Sequence, residues 1–456
     1  MSIDSALSQH AANIRYTDLP PDALHSAKKK ILWALGTTFA GAGCEGAHEV
    51  MALVRNFAAG SSGGCTIIGM NERAPIELAG FANGVFAKAA EYEDKLWMDN
   101  THGYGMGASV VPAVFAAAEH VGGVDGKTLL AAVAVATDVP ARMVMGAPNA
   151  IRSPFLSAYL FAHFGAAVAA ARILALDEEK MANAIGLAYT QAAGNFQAHH
   201  EHKSAIRMQM GFGVRNGLYA AFMAKLGIDG PHQYLTGKSG LYPAFFQECD
   251  AEAVMAGLGS NFLGNRVGYK AYPCGAVVHP ALDAVLQITR AHPFRPELVT
   301  SVVIEGSPNL AIMSSPIEQK QRPKNHIDQE FSLPWAIGCL LSEGRLSLGH
   351  FREAALKDHL KHALAQKVTV NMVAASNATS AEITLADGRK FASSSVGPPT
   401  GHHENPVSLE DFFANFRDCM NFGPHPVAPG HAQKAQDMVM RLEDVADVNE
   451  VLRLFA

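Results

Sequence analysis

The sequence predicts a mainly α protein with an α+β part. Three features of the 456-residue chain carry that expectation. From Pro20 to about Asn265 one alanine- and leucine-rich segment with helical spacing follows another. Near Tyr272 the texture changes to alternating, β-type runs. Helical spacing then returns with SLEDFFANFRDCM and persists to the last residue. This order predicts a large helical domain formed by both chain ends, residues 1–266 and 400–456. A smaller α+β domain, residues 267–399, is inserted between them.

The elements follow in order. PPDALHSAKKKILWALGTTFAG opens with prolines suited to a first helical turn and closes on glycine. DGKTLLAAVAVATDVPARMVMG, SAYLFAHFGAAVAAARILAL, DEEKMANAIGLAYTQAAG and GVRNGLYAAFMAKLGI each read as a helix. Their alanine density allows close helix approach, so a compact bundle is expected. In the second part, TSVVIEGSPNLAIM and KVTVNMVA read as strands, and SAEITLADGRKFASSSV as a hairpin turning at Asp387-Gly388. QKAQDMVMRLEDVADVNEVLRLFA continues the last helical stretch. No internal repeat is visible.

Composition narrows the function classes. The chain is 49% hydrophobic and 17% charged, with a net charge of −6 and scattered Lys and Arg, which points away from nucleic acid. Six widely spaced cysteines without a CxxC pair fit neither a zinc ribbon nor a disulfide scaffold, and suit a cytoplasmic protein. The N-terminal residues show no signal-peptide pattern. LSAYLFAHFGAAVAAARILAL is long and apolar, but His163, Arg172 and its many alanines fit a buried helix rather than a membrane span.

Several motifs imitate functional sites. GFGVRNG nearly matches a dinucleotide fingerprint, but its spacing is off by one and a polar stretch, not a strand, precedes it. HHEH at 199–202 and HHE at 402–404 lack the i, i+4 spacing that brings metal ligands together, so no metal is expected. No GxSxG elbow occurs, and Cys44 and Cys274 read as small packed cysteines before they read as nucleophiles.

The stretch WMDNTHGYGMGAS, Trp97 to Ser109, is different, because a polar loop with three alternate glycines interrupts two helical runs. Around it stand Glu91, Asp94, Lys95 and His102, and elsewhere Lys203, Arg207 and His279. A carboxylate, an imidazole and fixed cations are the groups needed to remove a proton next to a carboxylate and hold the resulting enediolate. Each residue also has an ordinary structural reading, as a cap, an ion-pair partner or a hydrogen-bonded loop residue.

Six blocks in order now resemble the MmgE/PrpD family along nearly the whole chain. They are LPPDALHSAKKKILWALGTTFAG, NGVFAKAAEYEDKLWMDNTHGYGMGASVVPAVFAAAE, IRMQMGFGVRNGLYAAFMAKLGIDGP, YKAYPCGAVVHPALDA, QEFSLPWAIGCLL and GPPTGHHENPVS. The resemblance implies a helical domain with an inserted lid domain, a homodimer, and no cofactor. It implies that His102 is the acid–base residue, that Glu91 and Asp94 stand at acidic positions, and that His279 is contributed from the lid. With Lys95 these make the candidate catalytic set of His102, Glu91, Lys95 and His279. Asp94, Lys203, Arg207 and Tyr272 are the candidate substrate contacts. Lys95 stands where a threonine occurs in cis-aconitate decarboxylase-like members, and Ile206 where the family often has lysine. A family histidine is missing from RSPFLSAYLFAHFG, leaving Ser157 or Tyr159 in that neighbourhood.

The implied function is proton abstraction next to a carboxylate of a small di- or tricarboxylate, most simply by a lyase (dehydratase or decarboxylase). An epimerase with Lys95 and His102 as two bases is the alternative. A metabolite-binding protein with a lapsed site is the remote one. Lys95 itself reads as an ion-pair partner before it reads as a base of lowered pKa.

Overall fold

Alanine and glycine decide how closely the helices of this chain approach. The computed structural model describes residues 2–61, 63–97, 103–150, 153–374, 378–425 and 427–456. Two compact units emerge, one of residues 1–89, 93–268 and 410–456, the other of 90–92 and 269–409. The architecture is mainly α with an α+β part.

The first unit begins with α1 (Ile3–Asn13), α2 (Pro21–Ala42) and α3 (Ala47–Phe57). A small antiparallel pair follows, β1 (Cys65–Ile67) with β2 (Glu72–Ala74). Then come α4 (Ile76–Ala89), the short β3 (Asp94–Leu96), α5 (Met106–Val121) and α6 (Gly126–Met145). Asp125 caps α6 by accepting from Thr128 N–H at 2.7 Å. Next are α7 (Ser157–Leu160), α8 (Ala162–Ile173), α9 (Glu178–Tyr189), α10 (Gln197–His200), α11 (Ala205–Lys225) and α12 (Ala251–Met255). β4 (Val267–Tyr269) pairs with β3 where the chain leaves this unit.

The segment read as a single apolar helix is split at Phe161, whose ψ of −13° tightens the turn between α7 and α8. All of α8 except Arg172 is buried, with α5, α6, α9 and α11 packed round it. Arg172 closes the C-terminal end of α1 by donating to the carbonyls of Ala11, Ala12 and Ile14. α6 is long and apolar enough to cross a membrane, yet 89% of its most apolar window is buried within the protein.

The fingerprint-like GFGVRNG lies inside α11, where its glycines serve packing. A side chain at Gly211 would strike the Phe81 carbonyl of α4 at 2.6 Å, and one at Gly217 would meet Ala166 Cβ of α8 at 2.5 Å. α11 therefore sits hard against α4 on one side and α8 on the other.

In the second unit, α13 (His279–Ala291) precedes β5 (Val299–Gly306). TSVVIEGSPNLAIM, expected to be strand throughout, leaves the sheet at Gly306. Pro308 lacks the N–H that a ladder needs, and the run ends in α14 (Ala311–Ser314). There follow α15 (Ile317–Lys320), α16 (His326–Glu330), α17 (Leu333–Glu343) and α18 (His359–Ala365). β6 (Val368–Met372), β7 (Ala378–Leu385) and β8 (Lys390–Val396) complete a sheet of order β6-β5-β7-β8. β5 runs parallel to β6 and antiparallel to β7, and the β7–β8 hairpin turns through Gly388 at φ +86°. α13 covers β7 and β8.

The first unit ends with α19 (Leu409–Phe422), α20 (His431–Met440) and α21 (Asn449–Leu452). The tail expected to stay helical breaks after Met440. There Asp444 and Asp447 bind Arg441 and the Asn449 N–H, competing with the helix ladder.

Replacing Gly217 by leucine should cost about 1–3 kcal/mol by overpacking against α8. Gly349, with no atom near its missing Cβ, should accept alanine within about 0.5 kcal/mol. Denaturant unfolding of the two variants checks this contrast.

Candidate active site

α4 ends at Ala89, and the acidic stretch begins at once. Glu91 has a left-handed backbone, φ +47°, which costs a residue with a side chain about 1–3 kcal/mol. The second unit supplies the restraint. Lys270, just after β4, donates from Nζ to the Glu91 carbonyl at 2.6 Å and to its Oε2 at 3.1 Å. The two side chains are 5% and 1% exposed for Glu91 and Lys270, so this is a dry ion pair. One ammonium thus holds both the backbone and the carboxylate of Glu91.

The same unit holds further polar groups near this pair in sequence. Tyr272 donates to Asp283 Oδ1 at 2.8 Å, and Thr400 N–H donates to the other oxygen of Asp283 at 2.8 Å. Burial, with the Asp283 charge, raises the Tyr272 phenol pKa well above its ordinary value. His279 is fully buried at the start of α13, edge-on to the Tyr272 ring at 5.1 Å. Cys274 is buried too, and burial pushes its thiol up to about 12, which argues against a thiolate nucleophile.

In the helical unit the next three residues interlock with the glycine-rich loop. Leu96 and Tyr104 exchange backbone hydrogen bonds at 2.8 and 3.3 Å, so the chain returns antiparallel to β3. A side chain at Gly103 would meet Lys95 Cε at 2.0 Å, one at Gly105 the Glu93 Cγ at 2.7 Å, and one at Gly107 the Asp94 Oδ1 at 2.8 Å. Gly103 also has φ +88°, a conformation glycine favours. The three alternate glycines are the spaces into which Lys95, Glu93 and Asp94 fit. His102, one residue before Gly103, lies outside the described residues.

Glu93 and Asp94 have further ties. Glu93 pairs with Lys88 at 3.1 Å, both 8% exposed. Both Asp94 oxygens accept from the Gly107 N–H, at 2.9 and 3.0 Å, in the first turn of α5. Burial raises the Asp94 pKa and lowers that of Lys30 on α2, each tempered by the other's opposite charge. Tyr104 anchors the returning strand, its hydroxyl lying 3.0 Å from Ser109 Oγ and 3.3 Å from the Phe161 carbonyl.

Comparison with known proteins places this geometry. The MmgE/PrpD N-terminal domain matches residues 5–253, and the MmgE/PrpD C-terminal domain matches residues 272–444. The chain belongs to the MmgE/PrpD family. Cis-aconitate decarboxylase of Aspergillus terreus is 25% identical, covering 99% of this chain and 95% of that protein. The cis-aconitate decarboxylases of Mus musculus and Homo sapiens are each 24% identical, covering 99% and 91% of this chain and 93% and 87% of their own lengths. Family and relatives together support an enzyme of the MmgE/PrpD type with a lyase-like function.

Among the expected MmgE/PrpD site residues, Glu91, Tyr272 and His279 fall in the second unit. Asp94 and Lys95 fall in the first, against the loop that follows His102. Asp94, expected to touch substrate, is 1% exposed and turned to the backbone of Gly107. Arg207 is 3% exposed and donates to the Glu45 carbonyl at 3.1 Å, while Lys203 is exposed four residues earlier. Sequence reasoning passed over Lys270, although it stands in the quoted YKAYPC block. Its signal was a lone lysine between the apolar and aromatic residues of VGYKAYPC. Among the described residues no group of three or more His, Cys, Asp or Glu side chains is placed to hold a metal ion.

Replacing Lys270 by methionine leaves Glu91 buried without its cation, and should cost about 3–5 kcal/mol. The double variant Glu91→Gln, Lys270→Met should lose much less than the two single losses added together, which a thermodynamic cycle of unfolding energies measures. Gly103→Ala should displace the loop against Lys95 and lower kcat on the order of 100-fold. Its melting temperature should move by only a few degrees, since the clash is confined to one loop.

Proposed function

We propose that this enzyme is a lyase acting on a small di- or tricarboxylate, with decarboxylation of cis-aconitate as its first candidate reaction. The observation that carries the reading is the buried Glu91–Lys270 pair, with Glu91 in a strained backbone. Strain of this kind collects at functional sites, and it lies in a chain similar from end to end to cis-aconitate decarboxylases.

In such a reaction the bond to one carboxyl carbon breaks and carbon dioxide leaves. The electron pair passes toward a remaining carboxylate, and a proton is delivered to carbon. His102 is the proposed proton carrier. Lys270 supplies positive charge for the developing enediolate, and Glu91 sets how much of that charge is available. Asp94 acts one step back, holding Gly107 and with it the loop. Lys203 and Arg207 remain the proposed carboxylate contacts from α11 and the turn before it, with Tyr272 and His279 completing the set from the proposed lid. A cytoplasmic homodimer needing no cofactor completes the proposal, on the strength of the family resemblance.

Lys95 favours the epimerase alternative. Its methylenes lie against Gly103, setting an amine next to the histidine loop, and two proton carriers are what a two-base epimerisation needs.

Proton NMR in D₂O separates these readings, with cis-aconitate, 2-methylcitrate, citrate and iminodisuccinate as substrates. The proposal expects loss of a carboxyl group or of water with new olefinic signals, and a His102→Ala rate about 100- to 10,000-fold lower. Deuterium entering the α-carbon without elimination would install the epimerase instead. Near-normal turnover by His102→Ala would remove that residue from the mechanism.

A further inference from the structure

α11 leaves one face unburied, and that face is apolar. Its other sides press on α4 and α8, with Gly211, Gly213 and Gly217 at the closest approaches. Outward, Met208, Phe212, Arg215, Tyr219, Phe222 and Leu226 follow one another at steps of four, three, four, three and four residues. Leu226 closes the helix with φ −78° and ψ −3°, so it stays in line with the rest. Such alternation sets all six in one straight stripe, the seam along which one helix packs on another. Phe212, Tyr219 and Leu226 are 40%, 45% and 82% exposed, and the other three are partly buried.

A helix stripe that faces water normally carries charged and polar groups. This one carries a single charge, on Arg215, whose guanidinium lies over the Phe212 ring at 5.2 Å. Aromatic residues, methionine and arginine are the types enriched at protein interfaces, where lysine, glutamate and aspartate are scarce. Neighbouring elements widen the patch without covering it. Phe81 of α4 meets Phe212 at 5.4 Å, and His120 of α5 meets Phe222 edge-on at 5.1 Å, next to the exposed Val121. A contiguous apolar surface of this kind marks a place where another surface docks.

The two halves of the stripe differ in shape. A groove of about 570 Å³ runs beside the N-terminal half, walled by Ala198, Met208, Phe212 and Arg215. The C-terminal half ends in Leu226, the most exposed large apolar side chain among the described residues. A hollow at one end and a projection at the other fit together when a second copy lies antiparallel. The charge fits the same arrangement, because the lone cation at 215 then falls opposite the tyrosine ring at 219. The stripe is complementary to itself, as the interface of a two-fold dimer must be.

We propose that a second copy of this chain covers the stripe, the two α11 helices lying antiparallel about a two-fold axis beside Gly217. The partner's Leu226 enters the groove next to Met208, and the partner's Phe222 meets Phe212. The partner's Tyr219 offers its ring face to the Arg215 guanidinium. Each contact is made twice. This inference rests on the homodimer proposed above and gives it a surface.

Sedimentation velocity of the whole chain at micromolar concentration should find a particle of twice the 48.4 kDa chain mass. Tyr219→Lys sets a lysine against the partner's Arg215 and should raise the dissociation constant on the order of 100-fold. Adding Arg215→Glu turns that repulsion into an opposite-charge pair and should recover much of the dimer. Leu226→Lys tests the other end of the stripe and should weaken the dimer as well. Far-UV circular dichroism should match the unaltered protein in every variant, since positions 219 and 226 face outward in the single chain. A monomeric unaltered protein overturns both this surface and the homodimer itself. A dimer that survives Tyr219→Lys and Leu226→Lys unchanged overturns the surface alone. If Arg215→Glu brings no recovery in Tyr219→Lys, the antiparallel pairing is wrong and the proposal falls with it.

Discussion

Close approach of α11 to α4 and α8 is the constraint on which the helical unit depends. Alanine and glycine at the crossings remove the bulk that would hold the axes apart, and dispersion between the helix surfaces replaces it. The acidic stretch starts as soon as α4 stops. What fixes the end of α4 therefore fixes where Glu91, Glu93, Asp94 and Lys95 begin. Glu93, Asp94 and Lys95 belong to the same unit as that packed helix and follow closely on its end.

The second unit holds a buried ion pair of its own, Glu91 with Lys270. A lone buried lysine would shed its proton and a lone buried glutamate would gain one, because burial penalises whichever form is charged. Lys270 and Glu91 each bring the other a hydrogen-bonded partner, and the extra bond to the Glu91 carbonyl offsets a backbone conformation that glutamate rarely takes. The arrangement confines a charged group to one orientation, which is what a reaction through an enediolate requires of its surroundings.

Much of the fold was legible in the sequence, since alanine-rich helical spacing and strand alternation are local signals. The misreadings sit where a local pattern met a competing interaction. Pro308 ended a strand that the apolar run continued, Phe161 broke a helix, and Asp444 and Asp447 drew the C-terminal chain out of its ladder. The site was less legible. Glu91 and His279 stood out by residue type, and Tyr272 by its place in a familiar block. Lys270 did not stand out, because its role comes from a partner 179 positions away in the chain. Asp94 was read as facing substrate, since a sequence does not show that a carboxylate is turned to a backbone amide. The spacing of the glycines was visible, but not the side chains that fill the spaces they leave.

That filling changes what the loop is. A run such as GYGMG, taken alone, describes a chain with many conformations open to it. Here Glu93, Asp94 and Lys95 occupy the places where three side chains would have been, so the freedom of the glycines is used up by their neighbours. The length of the residue at position 95 then becomes a dimension of the loop. A threonine in its place would leave empty the room beside Gly103 that the lysine methylenes now fill, and the peptide following His102 could settle into it. The length of the side chain at position 95 thus sets how closely the chain at Gly103 can approach β3.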